Sequence, residues 1–308
     1  MSLKVVALAG GVGGAKLAHG LAQCLISDQL TIVVNTGDDF THFGLHISPD
    51  LDTVMYTLAN LANPETGWGQ RDETWRFMEA VGRLGGPTWF RLGDKDLATH
   101  AERTRRLQAG ETLTQATLAL CAALEVRVKL LPMTDAHAPT KVITDEGPLE
   151  FQDYFVRRRC EPRVQTIVLT SQRARPTPQV LEAVAQAEVV ILCPSNPFLS
   201  LDPILHLRGM RRALKGKRVV AVSPIVGGKA LKGPAAKLMA ELELDVSAVS
   251  VARHYANLLT GFVLDEVDAA LKPAVEAFTP NVCITDTVMR SSADRLKLAQ
   301  AVLAFAKA

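Results

Sequence analysis

Short apolar runs rich in valine and isoleucine recur along the chain, and segments with helical periodicity lie between most of them. Strand and helix signals therefore alternate, which is typical of an α/β protein. We predict a mostly parallel sheet with helices on both faces, because that arrangement covers strands that are apolar along their whole length. The runs are KVVALA, LTIVVN, VQTIVLT, EVVILC, KRVVAVS, GFVLDE and NVCITD.

One stretch, from about Asn63 to Thr140, interrupts this alternation. It contains several helix-capping signals and few strand-like runs. We predict that residues 63–140 form a mostly helical insertion within one α/β domain that spans residues 1–308. The sequence contains no internal repeat and no low-complexity linker that would divide the chain further.

The charge balance argues against a polyanionic partner. The 308 residues include 34 basic and 32 acidic side chains, with a formal net charge of +2. No strong field attracts nucleic acid or a membrane surface, so we expect small-molecule substrates instead. The N-terminal apolar run is too short for a signal peptide or a spanning helix, and the odd number of scattered cysteines fits reduced thiols. These features predict a cytoplasmic protein.

A glycine-rich loop, LAGGVGGAKL, follows the first predicted strand and opens a helix. Glycines allow close backbone approach, and the N–H groups of a helix N-terminus can hold phosphate. Lys16 stands where a dinucleotide fingerprint has glycine, and Leu17 stands where a P-loop has Ser or Thr. Phosphate binding and a purely structural turn both stay open. The candidate phosphate-binding residues are Gly10, Gly11, Gly13, Gly14 and Lys16.

Four carboxylates follow the second predicted strand, which ends at Asn35. In the segment SPDLDT, Ser48 is placed to cap a helix, and Asp50 is placed to complement the dipole of that helix. Asp52 lies about 200° further around the helix, so we expect one carboxylate to cap and the other to point inward. Mg²⁺ prefers hard oxygen ligands. The candidate magnesium ligands are Asp38, Asp39 and Asp52.

Ligands of open parallel sheets bind at the carboxyl ends of the strands, where four loops of this chain are expected to gather. In the loop CPSNP, Ser195 and Asn196 could contact guanine or ribose, or could end the strand as a simple turn. Asn35 is a further nucleotide-binding candidate. Lys229 and Lys232 could contact phosphate or lie in a solvated basic loop. We predict that His100 has a structural role.

Nine segments of the chain, taken in order, resemble the 2-phospho-L-lactate transferase family (CofD) of coenzyme F(420) biosynthesis. The similarity extends almost from end to end, and its specificity lies in the order of motifs that are individually weak. The segments are GGVGGAK, VVNTGDD, ISPDLDTVMYTL, GWGQRDETW, WFRLGDKDLATH, LLPMTD, FQDYFV, PSNP and AVSPIVGGKALKGPA.

The resemblance implies a three-layer α/β sandwich with a Rossmann-like half. It also implies a Mg²⁺-dependent transferase, commonly a homodimer. The implied reaction moves a phospho-acid group (phospholactyl, phosphoenolpyruvyl or phosphoglyceryl) from a guanosine-diphosphate-activated donor to the ribityl hydroxyl of the deazaflavin Fo (7,8-didemethyl-8-hydroxy-5-deazariboflavin). GMP leaves, and a coenzyme F(420)-0 type product forms. The donor acid stays open.

By the same resemblance, Asp52 and Arg91 match positions that contact Fo. Asp52 is the candidate catalytic residue, which orients or deprotonates the ribityl hydroxyl, holds the metal, or does both. Arg91 replaces a lysine found in some relatives, which keeps the charge but changes the geometry. One alternative is a nucleotide-sugar-binding regulatory protein of the same fold. Another is an NAD-dependent oxidoreductase, which Asn35 disfavours because an acidic ribose ligand is expected there.

Overall fold

The computed structural model describes residues 3–308. Its strands are short, and most of those in the central sheet are buried, as the valine-rich runs predict. In chain order the strands are β1 (Val5–Ala9), β2 (Leu30–Val34), β3 (Phe40–His42), β4 (Leu45–Ile47), β5 (Lys129–Pro132), β6 (Thr140–Thr144), β7 (Gly147–Glu150), β8 (Val164–Leu169), β9 (Val189–Leu192), β10 (Arg218–Val222), β11 (Ile225–Val226), β12 (Lys229–Ala230), β13 (Gly261–Asp265) and β14 (Val282–Thr285).

At least one α-helix lies between each two consecutive strands of the central sheet described below, and helices dominate the segment between β4 and β5. The α-helices are α1 (Gly11–Cys24), α2 (Pro49–Leu58), α3 (Arg76–Arg83), α4 (Asp94–Gln108), α5 (Leu113–Ala123), α6 (Pro178–Gln186), α7 (Asp202–Leu205), α8 (Met210–Leu214), α9 (Ala235–Glu241), α10 (Ala248–Tyr255), α11 (Lys272–Glu276) and α12 (Ser292–Lys307).

Seven parallel strands form the central sheet, in the order β14-β13-β10-β9-β1-β2-β5. The chain runs outward from β1 through β2 to β5, then returns to β9 on the other side of β1 and continues outward to β14. The direction of winding therefore reverses between β1 and β9. Doubly wound sheets bind ligands beside the carboxyl ends of the strands at such a reversal.

Strand β1 shows how the sheet separates two hydrophobic cores. Val5, Ala7 and Ala9 pack in one core with α1, α2 and α12, and Val6 and Leu8 pack in the other core with α6, α8 and α10. All five side chains are buried because successive residues of a strand point to opposite faces. The helix, sheet and helix layers confirm the predicted α/β sandwich.

Two strands differ from the sequence prediction. The run VQTIVLT forms β8, which joins a separate three-stranded antiparallel sheet with β6 and β7. Several of its side chains face solvent, so it does not have the fully buried character of the central strands. The seventh central strand is instead β5, inside the predicted insertion over 63–140. Helical structure in that insertion ends with α5, and the insertion then rejoins the sheet edge beside β2.

Gly20 gives a test of how closely two helices of one layer approach. A Cβ atom at Gly20 of α1 would overlap the backbone carbonyl of Arg295 in α12. We expect Gly20→Ala to destabilise the protein by about 1–3 kcal/mol, the cost of overpacking, which exceeds the gain in helix propensity of about 1 kcal/mol. Urea unfolding measures the change.

Gly82→Ala is the matched control, because its Cβ would meet the Thr88 side chain at an ordinary 3.4 Å. This variant should be neutral or more stable than the wild type. Equal effects of the two substitutions would contradict a close α1–α12 contact.

Candidate functional site

A cavity of about 660 Å³ lies at the crevice beside β1 and β9. Its size suits a substrate or cofactor of ordinary dimensions. Gly14 and Asp39 lie outside its lining, although the sequence predicts both as site residues. The predicted site residues that line the cavity are Gly10, Gly11, Gly13, Lys16, Asn35, Asp38, Asp52, Arg91, Ser195 and Asn196.

The glycine loop is packed tightly against the loop that follows β9. A Cβ atom at Gly13 would overlap the carbonyl oxygen of Pro194, and one at Gly14 would overlap the hydroxyl of Ser195. The Gly10 N–H donates to Ser195 Oγ at 3.1 Å. Packing therefore requires these glycines whether or not phosphate binds, and Ser195 has a structural role in joining the two loops.

The carboxylate of Asp50 occupies the N-terminus of α1. Its Oδ1 accepts the Gly11 N–H at 2.6 Å, and its Oδ2 accepts a bond from Asn35 Nδ2 at 2.9 Å. A helix N-terminus favours an anion, and here a side chain of the protein supplies it. The sequence predicts that Asp50 serves its own helix, α2, but the carboxylate reaches across to α1. We expected one of Asp50 and Asp52 to cap a helix and the other to point inward; Asp50 does cap a helix, although it is α1, and both residues line the cavity.

Asn35 joins the two acidic segments. Its Nδ2 lies 3.3 Å from Asp38 Oδ1, 2.9 Å from Asp50 Oδ2 and 3.2 Å from the carbonyl oxygen of Leu199. Burial and the neighbouring carboxylates raise the pKa of Asp38 well above its ordinary value. Burial likewise raises the pKa of Asp50 to about 6. Asn35 is a neutral amide and does not compensate the ionised forms of these two carboxylates, so a cation bound in this part of the cavity would stabilise them.

Asp38 and Asp39 are adjacent in sequence but have different surroundings. Asp38 lines the cavity, whereas Asp39 Oδ2 accepts a bond from Ser48 Oγ at 2.8 Å and lies 3.1 Å from His46 Nε2. Ser48, the predicted N-cap of α2, makes no capping bond through its side chain. Protein side chains therefore already engage Asp39, and the assignment of Asp38, Asp39 and Asp52 as magnesium ligands stays a prediction.

Asp52 forms a buried ion pair with Arg103 of α4. Nη1 of Arg103 donates to Asp52 Oδ2 at 3.1 Å, and Nη2 donates to Oδ1. Two parallel N–H···O bonds fix the plane of the carboxylate as well as neutralising it. Burial alone would lower the pKa of Arg103, but the charge of Asp52 raises it, so the guanidinium stays charged.

The ion pair belongs to a larger polar network. Nδ1 of His100 lies 3.3 Å from Arg103 Nη1, and Nε2 of His100 lies 3.3 Å from Asp96 Oδ1. Tyr56 donates its hydroxyl to Asp96 at 2.7 Å. Burial opposes ionisation of Asp96, but His100, Tyr56 and Arg103 together bring its pKa below the ordinary value. His100 therefore lies within the site and also lines the cavity.

Part of this network could hold a metal ion. Ligand atoms of Asp52, Asp96 and His100 lie within 4.8 Å of one another. No other group of three His, Cys, Asp or Glu side chains within residues 3–308 is this close. Arg103 already neutralises Asp52, however, and Mg²⁺ prefers oxygen ligands to an imidazole nitrogen. The donor chemistry of this group therefore fits magnesium poorly.

Sequence reasoning missed Arg103 and Asp96, although α4 carries a signal that identifies them. An amphipathic helix ordinarily buries an apolar stripe at positions i, i+3, i+4, i+7 and i+8. The buried stripe of α4 has that spacing but is polar throughout. Burying polar groups is costly unless partners satisfy them, so such a stripe indicates a functional site. Its residues are Asp96, Thr99, His100, Arg103 and Thr104.

Another part of the cavity wall is aromatic and comes from the insertion. Trp68 and Trp89 line the cavity, together with Arg91. The guanidinium carbon of Arg91 lies 4.1 Å from the ring centroid of Trp75, which holds the charge over an aromatic face. Flat rings beside a cation suit a planar, partly anionic ligand.

Basic side chains border the same cavity. Lys16, Lys232 and Arg290 line it, but Lys229 does not. Burial lowers the pKa of Lys16, and the nearby charges of Arg295 and Lys232 lower it further. Three positive groups beside the acidic segments give the cavity both signs of charge, as a metal-bound diphosphate requires.

The fold and this cavity define a doubly wound α/β protein that binds a charged small molecule at the point where the strand order reverses. The sequence model of the 2-phospho-L-lactate transferase CofD family matches residues 5–290. The chain belongs to this family, which confirms the resemblance seen in the motifs.

Two relatives show the range of named activities. The chain is 44% identical to a phosphoenolpyruvate transferase of Streptomyces griseus subsp. griseus over 284 residues, which cover 89% of each chain. It is 38% identical to a 2-phospho-L-lactate transferase of Methanosarcina mazei over 300 residues, which cover 97% of this chain and 99% of the relative.

A solved structure has the same fold at low sequence identity. It is a member of the UPF0052 family from Bacillus halodurans, with a TM-score of 0.63 and 15% identity over 98% of this chain and 99% of the other. At this identity the similarity concerns the fold alone. None of the helices in the described part of the chain has the length and apolar character needed to span a lipid bilayer.

The raised pKa of Asp50 gives a pH-dependent stability that can be measured in metal-free buffer. The folded-state pKa of about 6 lies above the ordinary value of 3.8, so folding binds the proton. The stabilisation is complete below the ordinary value and is lost as pH rises through about 6. Between pH 4 and pH 7 the free energy of unfolding of the wild type should fall by on the order of 2–3 kcal/mol relative to that of Asp50→Asn. Denaturant unfolding at several pH values measures this, and parallel pH profiles would contradict it.

Proposed function

We propose that this protein transfers a phospho-acid group in coenzyme F(420) biosynthesis. The donor is a guanosine-diphosphate-activated acid, phospholactyl or phosphoenolpyruvyl, and the acceptor is the ribityl hydroxyl of Fo. The observation that carries the proposal is a single cavity in which the glycine and acidic loops of a family transferase face the segment Trp89–Arg91. Donor and acceptor can therefore meet in one cavity.

The chemistry requires positioning and charge neutralisation more than covalent catalysis. The hydroxyl oxygen attacks the phosphorus atom that carries the acid while its proton passes to Asp52. The bond from that phosphorus to the bridging oxygen breaks, and GMP leaves with the electron pair of that bond. Asp52 accepts a hydrogen bond from the ribityl hydroxyl and orients it, because Arg103 holds the carboxylate in a fixed plane. Arg91 contacts the deazaflavin, and Lys16, Lys232 and Arg290 neutralise phosphate oxygens.

Magnesium is best held by Asp38 and Asp50 in this proposal. Both line the cavity, both are buried, and they share the neutral donor Asn35. Asp52 is left out of the predicted ligand set because the Arg103 guanidinium neutralises it, and Asp39 because it lies outside the cavity lining. When bound, the ion offsets the negative charge of the donor diphosphate.

The magnesium assignment has a test that does not depend on activity. We expect millimolar Mg²⁺ to raise the melting temperature of the wild type in the presence of GDP, because the ion relieves repulsion between the buried carboxylates. Asp38→Asn should reduce this increase by more than half. Asp135→Asn, outside the cavity lining, is the control. An undiminished increase in Asp38→Asn would contradict the assignment.

The function itself is tested by incubating the protein with Fo, Mg²⁺ and each guanylylated acid in turn, then separating the products by mass. Product formation identifies both the activity and the donor. Binding of GDP without any product would favour a regulatory protein of the same fold. The homodimer implied by the family stays a prediction, which light scattering can measure.

Two substitutions separate catalysis from acceptor binding. Asp52→Asn keeps the shape of the side chain and removes its charge, so turnover should fall by about 10²-fold or more, with GDP affinity unchanged. Arg91→Ala should instead raise the KM for Fo and leave nucleotide binding intact, because Arg91 contacts the acceptor in both ground and transition states.

Arg83→Ala is the control for Arg91, since Arg83 is an exposed arginine of the same insertion outside the cavity lining. Steady-state kinetics with varied Fo and calorimetry with GDP provide the measurements. Wild-type turnover in Asp52→Asn would remove Asp52 from the catalytic machinery.

A further inference from the structure

We infer that Arg103 is a positioning residue for the transfer reaction, which acts by holding the carboxylate of Asp52 in the orientation that the acceptor hydroxyl needs. The inference rests on the proposed function and deepens it, because it gives the helical insertion a part in setting the geometry of the reaction.

The contact between the two side chains has the geometry that orientation requires. Each carboxylate oxygen of Asp52 meets a different guanidinium nitrogen of Arg103, so rotation of the carboxylate about its Cβ–Cγ bond would break both bonds. A single-point contact, such as a lysine ammonium would make, allows that rotation. The side chains are 1% and 6% exposed, so no bulk water competes for the bonds.

Arg103 is itself held in place. Its Nη1 also lies 3.3 Å from His100 Nδ1 and 3.5 Å from the carbonyl oxygen of His46. Its Nε has no hydrogen-bond partner among residues 3–308, which leaves Asp52 as its principal partner. His100 and the carbonyl oxygen of His46 therefore help to hold Nη1, while Nη1 and Nη2 both bond to Asp52.

The two residues come from different parts of the fold. Asp52 lies on α2, which packs against α1 in the core beside the sheet, whereas Arg103 lies on α4 of the insertion. The insertion thus supplies the aromatic wall near Arg91 and also the group that orients the carboxylate across the cavity. A change in the placement of α4 would alter the acceptor pocket and the orientation of Asp52 together.

The competing explanation is a structural ion pair with no influence on the reaction. Loss of a purely structural pair would lower the stability of the protein. Any effect of that loss on turnover would not depend on whether Asp52 is present. A positioning residue instead loses its effect on turnover when the group that it positions is removed. Double-mutant kinetics distinguish the two explanations.

The experiment compares the wild type with Arg103→Met, Arg103→Lys, Asp52→Asn and the double variant Asp52→Asn/Arg103→Met. We expect Arg103→Met to lower kcat at least 30-fold, with GDP affinity within 3-fold of wild type. Arg103→Lys should recover part of the loss, because it restores charge without the fork. The kcat of the double variant should lie within about 3-fold of the kcat of Asp52→Asn alone.

Arg106→Met is the matched control, because Arg106 lies on the same helix and pairs with Glu102 and Glu111 near the surface. It should leave kcat unchanged. If Arg103→Met alone does not fold, the double variant and Arg103→Lys still give the comparison, since the double variant leaves no unpaired buried charge.

Two results would overturn the role of Arg103. The first is a wild-type kcat in Arg103→Met or in Arg103→Lys, with intact GDP binding and an unchanged KM for Fo. The second is a double variant in which the fold-loss of kcat equals the product of the two single fold-losses. A wild-type protein that turns over no donor would overturn the proposed function as well. The two failures are distinguishable, because the results that would overturn the role of Arg103 can be obtained only with an active wild type.

Discussion

The close approach of the loops after β1 and β9 is the constraint on which the rest of the site depends. Gly13 and Gly14 lack a Cβ because the β9 loop occupies that space, and the Gly10 amide is bonded to Ser195. This contact sets the position of the α1 N-terminus, and the α1 N-terminus in turn receives the carboxylate of Asp50. The acidic loop is thereby drawn toward the strand-order reversal, where a cavity forms.

The four carboxylates after β2 have different surroundings, although Asp38 and Asp50 share the amide of Asn35. Asp50 satisfies a helix N-terminus, Asp39 bonds to Ser48 beside His46, and Asp52 pairs with Arg103. Asp38 contacts a neutral amide and repels its neighbours, so its pKa is raised well above the ordinary value by burial and by those neighbours. The acidity of the cavity therefore arises mainly where protein cations are absent, and a cation of the substrate complex would compensate for it.

The sequence predicts the fold well because valine-rich runs and helical periodicity are local signals, and six of the seven runs form central strands. It fails at VQTIVLT, since a strand of similar composition can pair in a side sheet. The cavity loops could be predicted from chain order alone. The partners of Asp39, Asp50 and Asp52 could not, because each partner is fixed by tertiary packing and not by spacing.

Helix α4 carries a sequence signal that points to one of these partners. The residues at the spacing of a core-facing stripe, from Asp96 to Thr104, are all polar, so the sequence shows a helix of the insertion without the usual apolar stripe, and the structure shows that this polar face is buried. A buried arginine requires an acidic partner, and the nearby acidic segments were the natural place to find one. The insertion is therefore not an addition that simply covers the sheet. Its polar face completes the environment of Asp52, so that acceptor recognition and the orientation of the reactive hydroxyl depend on the same helix.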